Sequence, residues 1–164
     1  MIEYAHADLL NADTEALVNT VNTVGIMGKG IALQFRQAFP ENYKAYRKAC
    51  QSDLVQLDKM FVFHTGKSTC PRIIINFPTI GDWRSHSRLS DIERGLVDLV
   101  HIITAEKITS IAVPALGCGN GGLNWHVVRP LIEEAFSNLP QITVLLYSPS
   151  SATINHDNDK RERH

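Results

Sequence analysis

Charge of one sign is what this chain most lacks: 16 Lys and Arg stand against 17 Asp and Glu, a formal net charge of -1. That balance excludes broad electrostatic capture of nucleic acid and leaves room only for a focal basic stripe. Cysteine is scarce as well, with Cys50, Cys70 and Cys118 and no C-x-x-C pair. Neither a disulfide framework nor a zinc knuckle is expected, and a reducing cytoplasm fits. No apolar run is long enough to cross a bilayer, and Met1 leads into a strand-like segment without a charged n-region or an apolar signal core. A soluble, unexported protein that contacts no membrane is expected. The seven histidines show no ligand spacing, His101 standing alone in a helical pattern, so no metal site is expected.

What the chain does have is enough apolar material for a core. With 164 residues, 44% hydrophobic and 20% charged, it suits one domain. That domain is read over residues 1–150; residues 151–164 are polar, charged and aperiodic, the pattern of a disordered tail or linker. Strands are predicted at 1–6, 16–18, 60–64, 72–77, 108–113 and 142–147, with a hairpin-like turn over 65–69. Helices are predicted at 29–39, 40–50, 89–106 and 125–138. Ser90 with Glu93 makes a capping-box pattern, and Pro130 suggests that the last helix becomes regular only near Val127. Alternating strands and helices predict a three-layer α/β fold around a mixed sheet.

Two glycine loops carry the chemistry. In the first, the apolar run 16–18 breaks at Asn19 and Asn22 and passes through Gly25, Gly28, Lys29 and Gly30 into a helical pattern at Ile31. Amide side chains donate and accept together, glycines let a ligand approach the main chain, and open helix-start N–H groups favour an anion. A phosphate loop of the G-x-x-x-x-G-K-[ST] kind is excluded, because the spacing is too short and glycine follows the lysine. The second loop, residues 114–123, contains Gly117, Cys118, Gly119, Asn120, Gly121, Gly122 and Leu123 after an apolar run. Its glycine spacing fits a dinucleotide fingerprint formally, yet the next carboxylates, Glu133 and Glu134, come too soon. The loop still makes a backbone cradle for phosphate and ribose oxygens. Two such loops after two strands imply one site at the carboxyl edge of a sheet.

Taken together, Ala7-Asp8-Leu9-Leu10, residues 18–32, residues 114–125 and Tyr147 resemble the macrodomains. Gly28-Lys29-Gly30-Ile31-Ala32, Asn76-Phe77-Pro78-Thr79 and Trp83-Arg84 are most similar to the branch of DarG-type DNA ADP-ribosyl glycohydrolases and terminal ADP-ribose protein glycohydrolases. The resemblance implies a macrodomain fold that binds ADP-ribose as ligand or product and needs no cofactor. It implies Asp8 at the adenine amino group, where residue type alone equally allows a turn cap. Around the ligand it places Leu9, Asn19, Asn22, Gly28, Gly30, Ile31, Ala32, Thr79, the segment 117–123 and Tyr147, with Asn22 and Gly119 to Gly122 at the distal ribose.

The implied activity is removal of ADP-ribose from a macromolecule such as a DNA base, by a monomer paired with an ADP-ribosyltransferase toxin. A noncatalytic reader and an ADP-ribose phosphoester phosphatase remain the alternatives. This sequence departs from the branch at one place that matters. Where the branch carries a lysine proposed to attack the distal ribose, this chain has Ile80. Isoleucine has no lone pair, so an amine-dependent covalent path through residue 80 is impossible. Asn22, Lys29 and Asp82 are then the catalytic candidates, with His86 as a further loop acid or base and Cys118 as a nucleophile lacking an evident partner base.

Overall fold

The computed structural model describes residues 1–82 and 85–149; the expected tail, and Trp83-Arg84 of the third motif, lie outside the described residues. Six strands form one sheet: β1 Ile2–Ala5, β2 Ala16–Asn22, β3 Phe61–His64, β4 Ile73–Ile80, β5 Ser110–Val113 and β6 Thr143–Tyr147. Their order is β1-β6-β5-β2-β4-β3. Every pairing is parallel except β3 with β4, so the sheet is mixed and five carboxyl ends share one edge. The helices are α1 Gly30–Ala38, α2 Pro40–Gln51, α3 Leu89–Ala105 and α4 Trp125–Phe136, with a 3-10 turn at Leu9–Asn11.

Both sheet faces are covered, as the near-continuous apolar strands require. On one face Ala16, Val18, Ile73, Ile75, Phe77, Ile111 and Val113 bury against Ile92, Leu99 and Ile103 of α3 and Val128 and Ile132 of α4. On the other, Leu17, Ile74 and Ala112 meet Phe35 of α1, and Val21 meets Tyr46, Ala49 and Cys50 of α2. Alternate residues of one strand therefore feed opposite layers. Helix α3 lies close on β4, since a Cβ on Gly95 would stand 2.4 Å from Phe77 Cζ.

Four expectations change. Strand β2 does not break at Asn19 but runs to Asn22, because Asn19 pairs in register with Asn76 and its amide Nδ2 donates to Asn76 Oδ1 at 3.3 Å. Strand β4 runs through Pro78 to Ile80. Proline is accommodated there because β3 starts only opposite Asn76, while a register shift on β2 between Val21 and Asn22 absorbs the missing donor. The capping box does not form: α3 starts one residue before Ser90, with the Arg88 carbonyl accepting from Asp91 and Ile92 N–H. Finally, Pro130 lies inside α4, whose start is fixed upstream by Asn124 Oδ1 accepting from His126 N–H at 2.9 Å. The proline is exposed, so the carbonyl it fails to meet is open to water.

At the amino edge Glu15 ties three strands together. Its carboxylate accepts from the Arg72 guanidinium before β4 and from Thr109 N–H and Oγ1 before β5, the latter at 3.1 and 2.9 Å. Burial alone would raise the Glu15 pKa, but these donors outweigh it and hold the carboxyl below its ordinary range. A depressed native pKa contributes stability above the unfolded value, near 4.3, that is lost as pH falls through the native one. Glu15→Ala is expected to cost about 1 to 3 kcal/mol at pH 7. In urea titrations the gap to the parent should narrow steadily below about pH 4.3; a pH-independent gap would assign the loss to packing.

Candidate functional site

A cavity of about 870 Å³ opens along the carboxyl edge from the end of β1 to the end of β4. Four strand spacings of about 4.8 Å make that edge roughly 19 Å long. Its shape suits an extended ligand with distinct ends.

At the β1–β6 end stand His6, Asp8, Leu9, Tyr147 and Ser148. Asp8 caps the 3-10 turn, accepting from Leu10 N–H through Oδ1 at 3.1 Å. The turn-cap reading of this residue holds, and the side chain also stands exposed on the cavity wall. Burial, followed by the nearby Asp8 carboxylate, raises the Tyr147 pKa, so its phenol stays neutral. His6 Nδ1 lies 3.3 Å from Ser148 Oγ, joining the ends of β1 and β6.

The middle of the wall is backbone. Gly28, Lys29, Gly30, Ile31 and Ala32 come from the start of α1, and Gly117, Gly119, Asn120 and Gly121 from the loop after β5. The two meet closely: a Cβ on Gly30 would lie 3.8 Å from Asn120 Nδ2. The start of α1 lies in this part of the wall, and the open N–H groups of a helix start favour an anion. The glycines divide by role. Gly117 and Gly122 have positive φ, 74° and 79°, and shape the loop. At Gly121 a Cβ would meet Ser87 Oγ at 2.1 Å and Gly117 O at 2.6 Å, so close packing excludes any side chain. At Gly119, which lines the cavity, nothing lies within 4 Å, so a side chain there would meet open space.

The β2–β4 end is formed by Asn22, Ile26, Thr79 and Ile80, with Asn22 opposite Ile80 in register. Asn22 is 7% exposed and organises the first loop. Its Oδ1 accepts from the N–H groups of Val24, Gly25 and Ile26 at 3.1, 3.2 and 3.3 Å, and from Tyr46 Oη at 2.8 Å. Its Nδ2 donates to Ile26 O at 2.8 Å. One amide N–H remains to offer a ligand. Burial raises the Tyr46 pKa strongly and keeps its hydroxyl a donor.

Several expected site residues fall elsewhere. Asn19 is fully buried in the ladder with Asn76 and does not reach the cavity. Cys118 is 1% exposed, its side chain in the core beneath the second loop rather than at the ligand surface. Gly122 and Leu123 close the base of that loop, donating to Gly119 O and Gly117 O, and are not part of the wall. Asp82 is likewise outside it. Sequence reasoning passed over His6, Thr20, Ile26, Gln34 and Ser148, all of which line the cavity. His6 and Ser148 flank Asp8 and Tyr147 at strand ends, and that position was the available signal.

A mixed six-stranded sheet between two helical layers, with a glycine-lined trough along its carboxyl edge, defines an α/β domain with a candidate ligand cleft. Residues 18–132 match the Macro domain family, and the chain belongs to it. The solved macrodomain of Mycobacterium tuberculosis DarG is 53% identical, with TM-score 0.90, covering 92% of this chain and 99% of that one. A curated relative, the DNA ADP-ribosyl glycohydrolase of the same organism, is 52% identical over 93% of this chain. This chain spans 44% of that relative's length. Thermosipho africanus DarTG, solved in complex with ADP-ribose, is 33% identical with TM-score 0.83, covering 90% of this chain and 41% of that one.

The two glycines should respond differently to valine. Gly119→Val is expected to keep the parent melting temperature and lower ADP-ribose affinity by about tenfold or more, because it fills ligand space. Gly121→Val is expected to destabilise by about 1 to 3 kcal/mol through overpacking against Ser87. Calorimetric titration beside thermal unfolding separates the two; normal affinity for Gly119→Val would remove the loop from the ligand site.

Proposed function

We propose that this domain binds ADP-ribose along the carboxyl edge and releases it from a modified DNA base, as an ADP-ribosyl glycohydrolase. The observation that carries the reading is the trough itself. Asp8 and Tyr147 stand at one end for adenine, two glycine loops in the middle for the pyrophosphate, and Asn22 with Thr79 at the other end for the distal ribose. The roughly 19 Å edge matches an extended dinucleotide-sized ligand. Support comes also from the activity for which the DNA ADP-ribosyl glycohydrolase relative is named and from the ADP-ribose complex of Thermosipho africanus DarTG.

In the proposed reaction the bond between the anomeric carbon and the base nitrogen breaks, the base leaves with the electron pair and takes a proton, and water supplies the new hydroxyl. The domain's contribution is to hold the sugar and its charged tail in place and to exclude competing geometries. Backbone N–H groups at the α1 start and the second loop would stabilise the anionic part, and Lys29 stands in the wall as a cation. No cofactor takes part in this scheme. As a monomer it would work in the cytoplasm beside an ADP-ribosyltransferase toxin, the pairing that the family resemblance implies.

One observation favours a second reading, a noncatalytic ADP-ribose reader. Among the described residues, the β2–β4 end, where the bond to be cut would lie, is lined by Asn22, Ile26, Thr79 and Ile80, none of them titratable.

Two measurements decide. Asp8→Ala should weaken ADP-ribose by about 1.5 to 3 kcal/mol, the range for a hydrogen bond to a charged group, and ribose phosphate by much less. Unchanged ADP-ribose affinity would take Asp8 out of the site. Single-turnover release of ADP-ribose from modified DNA, beside modified protein, tests the chemistry. The parent should turn over, and Ile80→Lys should be faster by about tenfold or more with little change in affinity, since the amine acts on bond breaking. Release by Ile80→Lys alone would leave the reader.

A further inference from the structure

The loop after β5 is closed at its base and open along its middle. Cys118 N–H donates to Ala115 O, Gly122 N–H to Gly119 O and Leu123 N–H to Gly117 O, at 3.1, 3.2 and 2.9 Å. Between these ties the backbone is unspent. Among the described residues the N–H groups of Gly119, Asn120 and Gly121 donate to no protein group, and the Asn120 carbonyl accepts from none. Gly119, Asn120 and Gly121 all line the cavity.

Packed against this stretch, but outside the cavity wall, lies Ser87, two residues before the start of α3. It is 6% exposed, and its N–H donates to Gly121 O at 3.0 Å. A Cβ on Gly121 would stand 2.1 Å from Ser87 Oγ, and one on Gly117 would stand 3.2 Å from Ser87 Cβ, so the serine is wedged between the two glycines. Its hydroxyl nonetheless has no hydrogen-bond partner among the described residues. Most buried side-chain polar atoms do find one, because burying them unpaired costs stability. An alanine would fill this wedge without that cost.

Peptide geometry connects the idle hydroxyl with the open loop. The C=O and N–H of one planar trans peptide group point to opposite sides of the chain. When Gly121 N–H turns to an oxygen of a ligand in the trough, Asn120 O turns the other way, to the side on which Ser87 packs. We propose that Ser87 is a positioning residue for ADP-ribose: its hydroxyl donates to Asn120 O when the trough is filled, and so holds Gly121 N–H on the ligand. This rests on the reading of the trough as an ADP-ribose site and deepens it by naming the residue that sets the second loop. The hydroxyl is unpaired in the free domain and paired in the bound one. That difference between the two states is what lets the ligand draw the loop into place.

The test uses the parent domain, Ser87→Ala and, as a control at an exposed serine of the same segment, Ser85→Ala. ADP-ribose and AMP are titrated calorimetrically, and thermal unfolding is followed without ligand. AMP carries the adenine and one phosphate but lacks the distal ribose. Ser87→Ala should weaken ADP-ribose roughly two- to tenfold, the range for one neutral hydrogen bond, and AMP by less than about twofold. Its melting temperature should equal or exceed that of the parent, since it removes a buried hydroxyl that has no partner in the free domain. Ser85→Ala should match the parent in every reading. Equal ADP-ribose affinity in parent and Ser87→Ala, an equal loss for both ligands, or a lowered melting temperature would overturn the positioning role while leaving ADP-ribose binding by the trough intact. A parent that binds no ADP-ribose would overturn the trough reading and the role of Ser87 with it.

Discussion

One side-chain carbonyl holds the working end of this domain together. Asn22 Oδ1 collects three consecutive backbone N–H groups and the Tyr46 hydroxyl at the point where β2 gives way to loop. A turn of that kind has N–H groups that would otherwise be left without partners near a partly buried surface, each costing free energy comparable to a lost hydrogen bond. Gathering them on one oxygen lets the chain reverse at the sheet edge and deliver Gly28 and Gly30 to the start of α1. Position, rather than reactivity, is what this asparagine supplies. The loop after β5 is set by different means, steric exclusion at Gly121 and left-handed backbone at Gly117 and Gly122.

Layer architecture and element order were legible in the chain because periodicity records them directly. Alternate residues of β2 face different helices, and the apolar positions of α3 recur at helical spacing. What escaped was decided by partners distant in sequence. Asn19 looked like loop chemistry because asparagine is a turn residue, but Asn76, 57 residues away, turns it into a buried ladder member. Pro78 looked like a strand stop, yet β3 asks nothing of it on that side. Ser90 and Glu93 matched a cap, while the Arg88 carbonyl had already started the helix.

The same distinction runs through the site. The glycine loops could be placed because glycine spacing after two strands locates a carboxyl edge without any knowledge of contacts, whereas Asp8 and Tyr147 were placed by the family resemblance. Cys118 shares that neighbourhood, but one residue of difference along the loop sends its side chain into the core. Ile26 was hidden for the opposite reason. An isoleucine in a glycine loop reads as ordinary apolar filler, and only the anchored turn around it shows that it is held at the surface.

The Glu15 clip sits at the far end of the strand that carries Asn22. From Ala16 to Asn22 a strand rises about 3.3 Å per residue, so roughly 20 Å of largely buried sheet separates the tie from the far end of β2 at the trough. Sites that far apart and without shared partners change folding free energy nearly independently. An engineer or a mutational lineage can therefore spend stability at one pole of the molecule and restore it at the other. Exchanges along the trough, including a change of residue 80, can be absorbed without redrawing the scaffold.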